Sequence, residues 1–280
     1  GLSLGGNYNT ISQSVMQSGS GGDAALFLSF ANYNTITQSY VTNLAGNAAN
    51  VFNSDFNTIS QSTLTSNGVG NKALYLFTAS CNTISQSYIT NPAGYAAHLF
   101  SNSNFNTISL STMASFSASF YALYLQGALS NKIRQSYATN PAGYATVLFS
   151  NANLNTITQS TMTSGAASYA ALRLDAVSSN TLDNSYLQGS TAAYITGSTG
   201  TVFSTSELAA DSAFGSALTL SGGSVNLTVA STTLRGGPSG SGLLLDLGNK
   251  GAVAIGSVTV TGAARGLEIS EPISLGVLVD

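Results

Sequence analysis

Residues able to carry out acid–base or nucleophilic chemistry are scarce in this chain. It contains ten Asp and Glu residues, seven Lys and Arg residues, one His and one Cys. Asp175 and Asp183 form the one plausible carboxylate pair for general acid–base work, with Arg173 and Arg134 expected nearby. His98 has no partner in the sequence that indicates a catalytic triad or a zinc site. We therefore predict no catalytic residue, no metal site, no cofactor and no enzymatic activity.

The overall composition argues against nucleic acid as a partner and against a membrane-spanning segment. Hydrophobic residues make up 43% of the chain and charged residues 6%, which is too apolar for a disordered protein. With seven basic residues and a net charge of −3, the chain has no basic patch for nucleic acid. No apolar run approaches the length of a membrane span. Cys81 is the only cysteine, so no intrachain disulfide can form, and we predict an extracellular or cell-surface protein.

An internal repeat organises the whole sequence. The tripeptide Asn-Thr-Ile begins at Asn9, Asn34, Asn57, Asn82, Asn106 and Asn155. When the degenerate copies are included, successive copies are 23 to 25 residues apart. Degenerate copies begin at Asn131 and Asn180. A Leu-x-Leu phrase precedes each copy by about eight residues and continues towards the C-terminus. We predict one domain over residues 1–280, with regular repeats over 1–190 and more degenerate repeats over 191–280.

Each repeat reads as short strands separated by turn residues, and such strands are stable only when stacked. Coils of about 24 residues, rising roughly 4.8 Å each, would pair every strand with its equivalent in the next coil. The sequence thus predicts an all-β, right-handed parallel β-helix of about twelve coils. An inward column is predicted at Ile11, Ile36, Ile59, Ile84, Ile108, Ile133 and Ile157. The six Asn residues that open the tripeptide are predicted at a corner, in left-handed backbone geometry, with their amides bonded as a ladder.

The segment Ala73–Thr90, ALYLFTASCNTISQSYIT, resembles the parallel β-helix repeat family. That family includes pectate-lyase-like folds and the stalks of bacterial adhesins and polymorphic outer-membrane proteins. The resemblance covers nearly the whole chain, most strongly residues 1–190, and implies fold rather than function. Polysaccharide lyases and hydrolases of this fold cluster Asp residues on one face. Here Arg134 and Asp183 are predicted two coils apart, roughly 10 Å, too far for contact.

Two outward faces are candidate binding surfaces. The hydroxyl columns that flank the Ile column, represented by Thr35, Thr58 and Thr83, resemble those of ice-binding β-solenoids. Tyrosines recur at one position in alternate coils, and they could stack on sugars as a ladder. These tyrosines are Tyr40, Tyr88 and Tyr137, with Tyr95 and Tyr144 on a neighbouring edge. In the alternative reading, the aromatic residues before Asn-Thr-Ile pack inside the corners; these are Tyr8, Tyr33, Phe56 and Phe105.

The two ends of the predicted rod lack charged caps. Solenoid ends expose unpaired strand edges, and Leu2 and Leu4 at one end and Ile273 and Leu275 at the other are predicted to form a subunit junction. We therefore predict a head-to-tail homopolymer, an extracellular filament subunit. A fragment of a longer β-helix would show the same ends. The alternatives are an adhesin stalk or glycan-binding surface protein, with glycans or the cell surface as partner, and an ice-binding protein.

Overall fold

The computed structural model describes residues 1–246, 248–270 and 274–279. In those residues the chain is all-β. The described part of the chain has no helix that is long and apolar enough to cross a membrane. Three parallel sheets run along one rod, and within each sheet neighbouring strands are three places apart in the chain. The predicted right-handed parallel β-helix is confirmed. The sheets hold 12, 12 and 11 strands, which corresponds to eleven complete coils and the start of a twelfth.

The strands are numbered β1 to β35 in chain order and belong to sheets A, B and C in turn. Sheet A comprises β1 (Leu2–Leu4), β4 (Leu26–Ser29), β7 (Ala49–Phe52), β10 (Lys72–Phe77), β13 (Tyr95–Phe100), β16 (Leu123–Gln126), β19 (Thr146–Phe149), β22 (Ala170–Asp175), β25 (Thr191–Thr196), β28 (Leu218–Ser221), β31 (Ser241–Leu245) and β34 (Arg265–Ile269). Sheet B comprises β2 (Thr10–Ser12), β5 (Thr35–Thr37), β8 (Thr58–Ser60), β11 (Thr83–Ser85), β14 (Thr107–Ser109), β17 (Lys132–Arg134), β20 (Thr156–Thr158), β23 (Thr181–Asp183), β26 (Val202–Ser204), β29 (Val225–Ala230), β32 (Lys250–Gly256) and β35 (Ser274–Val279). Sheet C comprises β3 (Val15–Ser18), β6 (Tyr40–Asn43), β9 (Thr63–Ser66), β12 (Tyr88–Asn91), β15 (Thr112–Ser115), β18 (Tyr137–Asn140), β21 (Thr161–Ser164), β24 (Tyr186–Gly189), β27 (Glu207–Ala210), β30 (Thr233–Arg235) and β33 (Thr259–Thr261).

The core is a set of aliphatic columns along the rod axis. The isoleucine at the centre of the sheet B strands β2, β5, β8, β11, β14, β17 and β20 points inward, because strand residues alternate between the two faces. In-register pairs carry this column from coil to coil. Ile11, in the first coil, is half-buried. The other six members are buried: Ile36, Ile59, Ile84, Ile108, Ile133 and Ile157.

The asparagines at the start of the tripeptide form a hydrogen-bonded ladder at the corner before sheet B. In each step the backbone N–H of one Asn donates to the side-chain Oδ1 of the Asn in the next coil, for example Asn34 to Asn57 at 2.8 Å. Amide-to-amide bonds reinforce several steps, including Asn9 to Asn34 at 2.9 Å and Asn82 to Asn106 at 3.2 Å. The ladder continues through Asn131, Asn155 and Asn180.

The prediction that these Asn residues take left-handed backbone geometry is wrong. The residue before each one takes it instead, as at Tyr8 (φ 59°), Tyr33 (φ 58°) and Phe56 (φ 57°). Each Asn turns its side chain into the rod, and its backbone N–H must face the next coil. The sharp bend therefore falls one residue earlier in the chain.

Bending at that residue turns its side chain outward. Tyr8 and Phe105 are 75% and 62% exposed, so the reading that these aromatic residues pack inside corners is wrong. Tyr8 stacks on Tyr33 and Tyr33 on Phe56, with ring centroids 5.0 Å apart in both pairs. The corner is thus an external stack of rings that show their edges to solvent.

Of the four residues predicted for a subunit junction, the three that the structure describes lie at the two ends of the rod. Leu2 and Leu4 lie on β1, half-buried and in register with Leu26 and Leu28 of β4. Leu275 lies on β35, opposite Gly251 of β32. Ile273 lies outside the described residues.

Candidate functional site

The outer face of sheet A carries a column of side chains that are mostly aromatic or charged. In the Leu-x-Leu phrase the two leucines point into the core and the residue between them points outward. Strand pairing places these outward residues in register over five coils. They are Tyr75, His98, Tyr124, Val147 and Arg173.

A second line of tyrosines runs beside this column, where the chain enters sheet A. Tyr95, Tyr121, Tyr144 and Tyr169 contact one another edge to face along the rod. Their successive ring centroids are 5.6, 6.0 and 4.8 Å apart. Edge-to-face contact is a favourable arrangement of aromatic rings. We call the two lines together the aromatic face; its rings are Tyr75, Tyr95, His98, Tyr121, Tyr124, Tyr144 and Tyr169.

A phenylalanine column borders the other side of the aromatic face. Phe52, Phe77 and Phe100 stack with centroid separations of 5.3 and 5.4 Å. In the following coils the same position holds Gln126, Phe149 and finally Asp175. The border thus changes from apolar to polar along the rod, and its carboxylate lies in the same strand as Arg173.

His98 lies buried among these rings and is 6% exposed. Its ring centroid is 4.5 Å from that of Tyr124, 5.2 Å from that of Tyr95 and 5.4 Å from that of Tyr75. Within the described part of the chain neither imidazole nitrogen has a hydrogen-bond partner; the Gln126 side chain approaches without reaching hydrogen-bond geometry. Burial, followed by the positive charge of Lys72, lowers the pKa of His98 to about 3, so the imidazole is neutral at pH 7.

Lys72 lies at one end of the aromatic face. Its ammonium nitrogen lies 5.2 Å from the ring centroid of Tyr75 and 5.5 Å from that of Tyr95. These are cation–π distances. Burial lowers the pKa of Lys72, and burial raises the pKa values of Tyr75 and Tyr95.

Arg173 and Asp175 lie at the other end. The guanidinium Nη2 is 2.5 Å from the Asp175 Oδ2, and Nη1 donates to the Tyr144 hydroxyl at 3.3 Å. The guanidinium also lies 5.5 Å from the centroid of the Tyr144 ring. Burial raises the pKa of Tyr121, and the nearby Arg173 acts in the opposite direction. A cation, a carboxylate and phenol groups therefore meet at one point of the face.

The structure does not bring together the carboxylate pair predicted from the sequence. Asp175 lies on sheet A, whereas Asp183 lies on sheet B and accepts a hydrogen bond from Ser204 at 2.7 Å. Arg134 is also on sheet B, two strands from Asp183. Among the described residues, no group of three His, Cys, Asp or Glu side chains could hold a metal ion.

The predicted binding faces lie on the other two sheets. Tyr40, Tyr88 and Tyr137 are exposed on sheet C. The threonines predicted for an ice-binding face are half-buried on the outer side of sheet B, and Lys132 replaces this Thr in β17. They are Thr35, Thr58 and Thr83. Tyr95 and Tyr144 join the aromatic face of sheet A.

The sequence-based search missed most of the aromatic face. Lys72, Tyr75, Tyr121 and Tyr124 were not singled out, and His98 was judged to be without a partner. The signal was present in the middle residue of each Leu-x-Leu phrase, which becomes a column once the phrases are aligned. A search for carboxylates could not find a site whose groups are mainly phenol and cation.

Comparison with known proteins gives structural neighbours only: no family model and no curated protein matches the sequence. The mannuronan C-5 epimerase AlgE4 A-module of Azotobacter vinelandii is similar with a TM-score of 0.72 at 11% identity, covering 97% of this chain and 91% of that one. The endo-xylogalacturonan hydrolase of Aspergillus tubingensis has a TM-score of 0.62 at 12% identity, covering 94% and 90%. The periplasmic alginate epimerase AlgG has a TM-score of 0.56 at 7% identity, covering 89% and 74%. The chain therefore has the pectate-lyase-like, right-handed parallel β-helix fold.

These neighbours correct the functional prediction. A filament subunit without enzymatic activity is the wrong expectation, because the similar structures include epimerases and a hydrolase that process carbohydrates. The error came from counting carboxylates, which overlooked the tyrosines and cations that the coils align on sheet A.

Proposed function

We propose that this chain is a carbohydrate-active protein that binds a polysaccharide along the aromatic face and acts on it there. The observation that carries the proposal is the unbroken run of rings from Tyr75 to Tyr169 with Arg173 and Asp175 on the same face. Rings with polar tips can pack on the apolar faces of sugars while donating hydrogen bonds. The run follows the rod axis, as a bound linear chain would.

The charges on this face favour a polysaccharide that contains uronic acid. Lys72 and Arg173 are two cations against one carboxylate, Asp175. They lie four coils apart, roughly 19 Å along the rod. Arginine is well suited to binding a carboxylate because its planar group donates two parallel hydrogen bonds. A sugar carboxylate at Arg173 would be held at the point where Tyr144 also lies.

The groups available favour proton transfer over hydrolysis by paired carboxylates. Glycoside hydrolysis ordinarily uses two carboxyl groups at most about 9.5 Å apart. In the described strands β10 to β22, Asp175 is the only carboxylate. Arg173 would instead neutralise the sugar carboxylate and so make the adjacent carbon more acidic. The Tyr144 oxygen, 3.3 Å from the Arg173 Nη1, is placed to take that proton once its own proton has passed to solvent. A proton returned to the same carbon from solvent on the opposite face gives the epimer. If the bond to the linked sugar breaks instead, a C=C bond forms and the leaving oxygen takes the proton from Tyr144.

A site of this kind belongs outside the cytoplasm, where long polysaccharides occur. The similarity to a periplasmic alginate epimerase supports that location. An extracellular or periplasmic location is accordingly part of the proposal.

The proposal is tested by incubating the purified protein with polymannuronate and with polygalacturonate. Proton NMR would report inverted sugar residues, and ultraviolet absorbance would report unsaturated products. We expect one of these changes, and we expect Arg173→Gln to slow it at least about a hundredfold, as for loss of one electrostatic contact to a reacting group.

Arg134→Gln is the matched control, because Arg134 is an exposed arginine on sheet B. It should react at the rate of the unsubstituted protein. Thermal melting of both variants checks that they are folded. If a folded protein neither binds nor alters either polyuronate, or if Arg173→Gln reacts at the normal rate, the proposal is wrong.

A further inference from the structure

Sheet C carries a second row of aromatic side chains, on a different side of the rod from the aromatic face. Tyr40, Tyr88 and Tyr137 occupy the same outward position in β6, β12 and β18 and are 43%, 45% and 38% exposed. Thr63 and Thr112 lie in register between them. The tyrosines therefore repeat every second coil.

The repeat is regular because the strands pair without a shift. Two coils correspond to roughly 9–10 Å along the rod, so the three tyrosines span roughly 19 Å. Tyr186 continues the row in β24, again separated by one threonine, Thr161. A ligand that meets all of these rings must be straight and must present the same surface at this interval.

The surface between the tyrosines is polar and open. The Tyr137 hydroxyl lies 2.9 Å from the Thr163 hydroxyl, which in turn donates to Thr139 at 2.9 Å. A shallow recess of about 380 Å³ lies beside Tyr137, between the threonines of sheet C and the glutamines of the corner with sheet B. Hydroxyl and amide groups are therefore available to a ligand lying along the row.

This surface also carries no charge over most of its length. The eight strands from β3 to β24 of sheet C contain no Asp, Glu, Lys or Arg. The first charges occur at Glu207 and Arg235, which pair with each other at 3.2 Å. When an uncharged ligand binds here, no charged group of the ligand or of this surface has to be removed from water, so binding carries no cost of that kind.

We propose that the tyrosine row is a second carbohydrate-binding surface, for a linear, uncharged polysaccharide in an extended conformation that repeats every two sugars. In such a chain alternate sugars present the same face, which matches one tyrosine every two coils. The apolar face of every second sugar would pack on a tyrosine, and the intervening hydroxyls would meet the threonine and glutamine side chains. This surface is independent of the site proposed on sheet A and would hold the protein on an uncharged matrix.

The test is adsorption of the purified protein to microcrystalline cellulose, insoluble chitin and insoluble xylan, measured by depletion from solution. Granular starch is the uncharged comparison, because its chains coil instead of extending. We expect adsorption to at least one of the three extended polysaccharides and at least tenfold weaker adsorption to starch. The double variant Tyr88→Ala/Tyr137→Ala should lose at least tenfold in affinity, whereas Tyr88→Phe/Tyr137→Phe, which keeps both rings, should stay within threefold.

The control is Tyr8→Ala/Tyr33→Ala, which removes two tyrosines from the stacked corner and leaves sheet C intact. It should adsorb as the unsubstituted protein does. Arg173→Gln should adsorb normally to the uncharged polysaccharide, and the sheet C double variant should act normally on polyuronate. The proposal for either surface can therefore be wrong while the other holds. The inference is overturned if no extended polysaccharide is bound, if starch is bound equally well, or if the sheet C and corner variants behave alike.

Discussion

At the scale of single residues, the proposed chemistry depends on the group around Arg173. Its guanidinium contacts the Asp175 carboxylate, the Tyr144 hydroxyl and the face of the Tyr144 ring. These three contacts fix the orientation of a long side chain, so less conformational freedom is lost when a ligand binds. A sugar carboxylate would then meet an oriented cation beside a phenol.

The Tyr144 hydroxyl can be removed without removing its ring. Tyr144→Phe keeps the ring near the Arg173 guanidinium, so we expect substrate binding to change less than threefold. Because the hydroxyl is the proposed proton carrier, turnover of the polyuronate should fall about a hundredfold or more. Steady-state kinetics would separate kcat from KM.

Tyr169→Phe is the companion variant. Tyr169 contacts the Tyr144 ring edge to face at 4.8 Å, and its hydroxyl makes no side-chain hydrogen bond within the described residues. It should keep nearly full activity. Equal turnover in the Tyr144 and Tyr169 variants would remove Tyr144 from the mechanism.

His98 makes the stability of the protein depend on pH. Its pKa is about 3 in the folded protein and about 6.5 in an unfolded chain. Between these values the unfolded chain binds a proton that the folded protein does not bind, so acid favours unfolding. The free energy of unfolding should decrease by a few kcal/mol as pH falls from about 6.5 to about 3, and this contribution should be constant above pH 7.

The measurement is denaturant unfolding at pH 7, 5 and 4. His98→Phe, which suits a pocket of aromatic rings, isolates the effect of the imidazole from that of the carboxylates. Its stability should decrease less on acidification than that of the unsubstituted protein. Parallel pH profiles for the two proteins would show that His98 is not buried in its neutral form.

At the scale of elements, each coil is held by hydrogen bonds to the next rather than by its own strands. Strands of three to seven residues have too few internal contacts to be stable alone. The Asn ladder adds side-chain bonds at the corner, where the backbone leaves one sheet and enters another. Asn57, for example, accepts from Asn34 and donates through Nδ2 to the Ala31 carbonyl at 2.9 Å.

Interrupting the ladder should therefore destabilise the rod. Asn57→Ala leaves the buried Asn34 N–H and Ala31 C=O without partners, and each unpaired group costs about 1–3 kcal/mol. We expect the free energy of unfolding to fall by about 2–4 kcal/mol. Asn67→Ala, at an exposed residue, should change it by less than about 0.5 kcal/mol. Equal melting of the two variants would mean that the ladder adds no stability.

The fold could be predicted from the sequence because a repeat multiplies a weak signal. One Asn-Thr-Ile is uninformative, but its recurrence at 23 to 25 residues allows few structures other than a solenoid. The inward column followed from the same periodicity. The backbone conformation at the corner could not be predicted from the periodicity, because the position of the left-handed residue depends on which backbone N–H must face the next coil.

The site was harder to predict because its residues do not repeat. Tyr75, His98, Tyr124 and Arg173 share one position but differ in type, so periodicity cannot identify them. Their chemistry arises from contact between coils, such as that of Arg173 with Tyr144, whose positions are 29 residues apart. The sheet C tyrosines were found in the sequence because they do repeat.

At the scale of the whole molecule, a parallel β-helix presents long, straight surfaces that suit linear ligands. Sheet A presents a charged aromatic face and sheet C an uncharged tyrosine row, so one rod could act on one polysaccharide while attached to another. Both surfaces run parallel to the axis, because every coil adds one residue to each column. A ligand bound to either surface should therefore lie along the rod.

The most direct test of the central claim is a crystal structure of the protein with an oligouronate of four to six sugars. We predict that the oligosaccharide lies along sheet A, with sugar rings against the half-buried Tyr121 and Tyr144 and a carboxylate within hydrogen-bond distance of Arg173. An oligouronate bound on sheet B or sheet C, with the aromatic face empty, would contradict the assignment of the site.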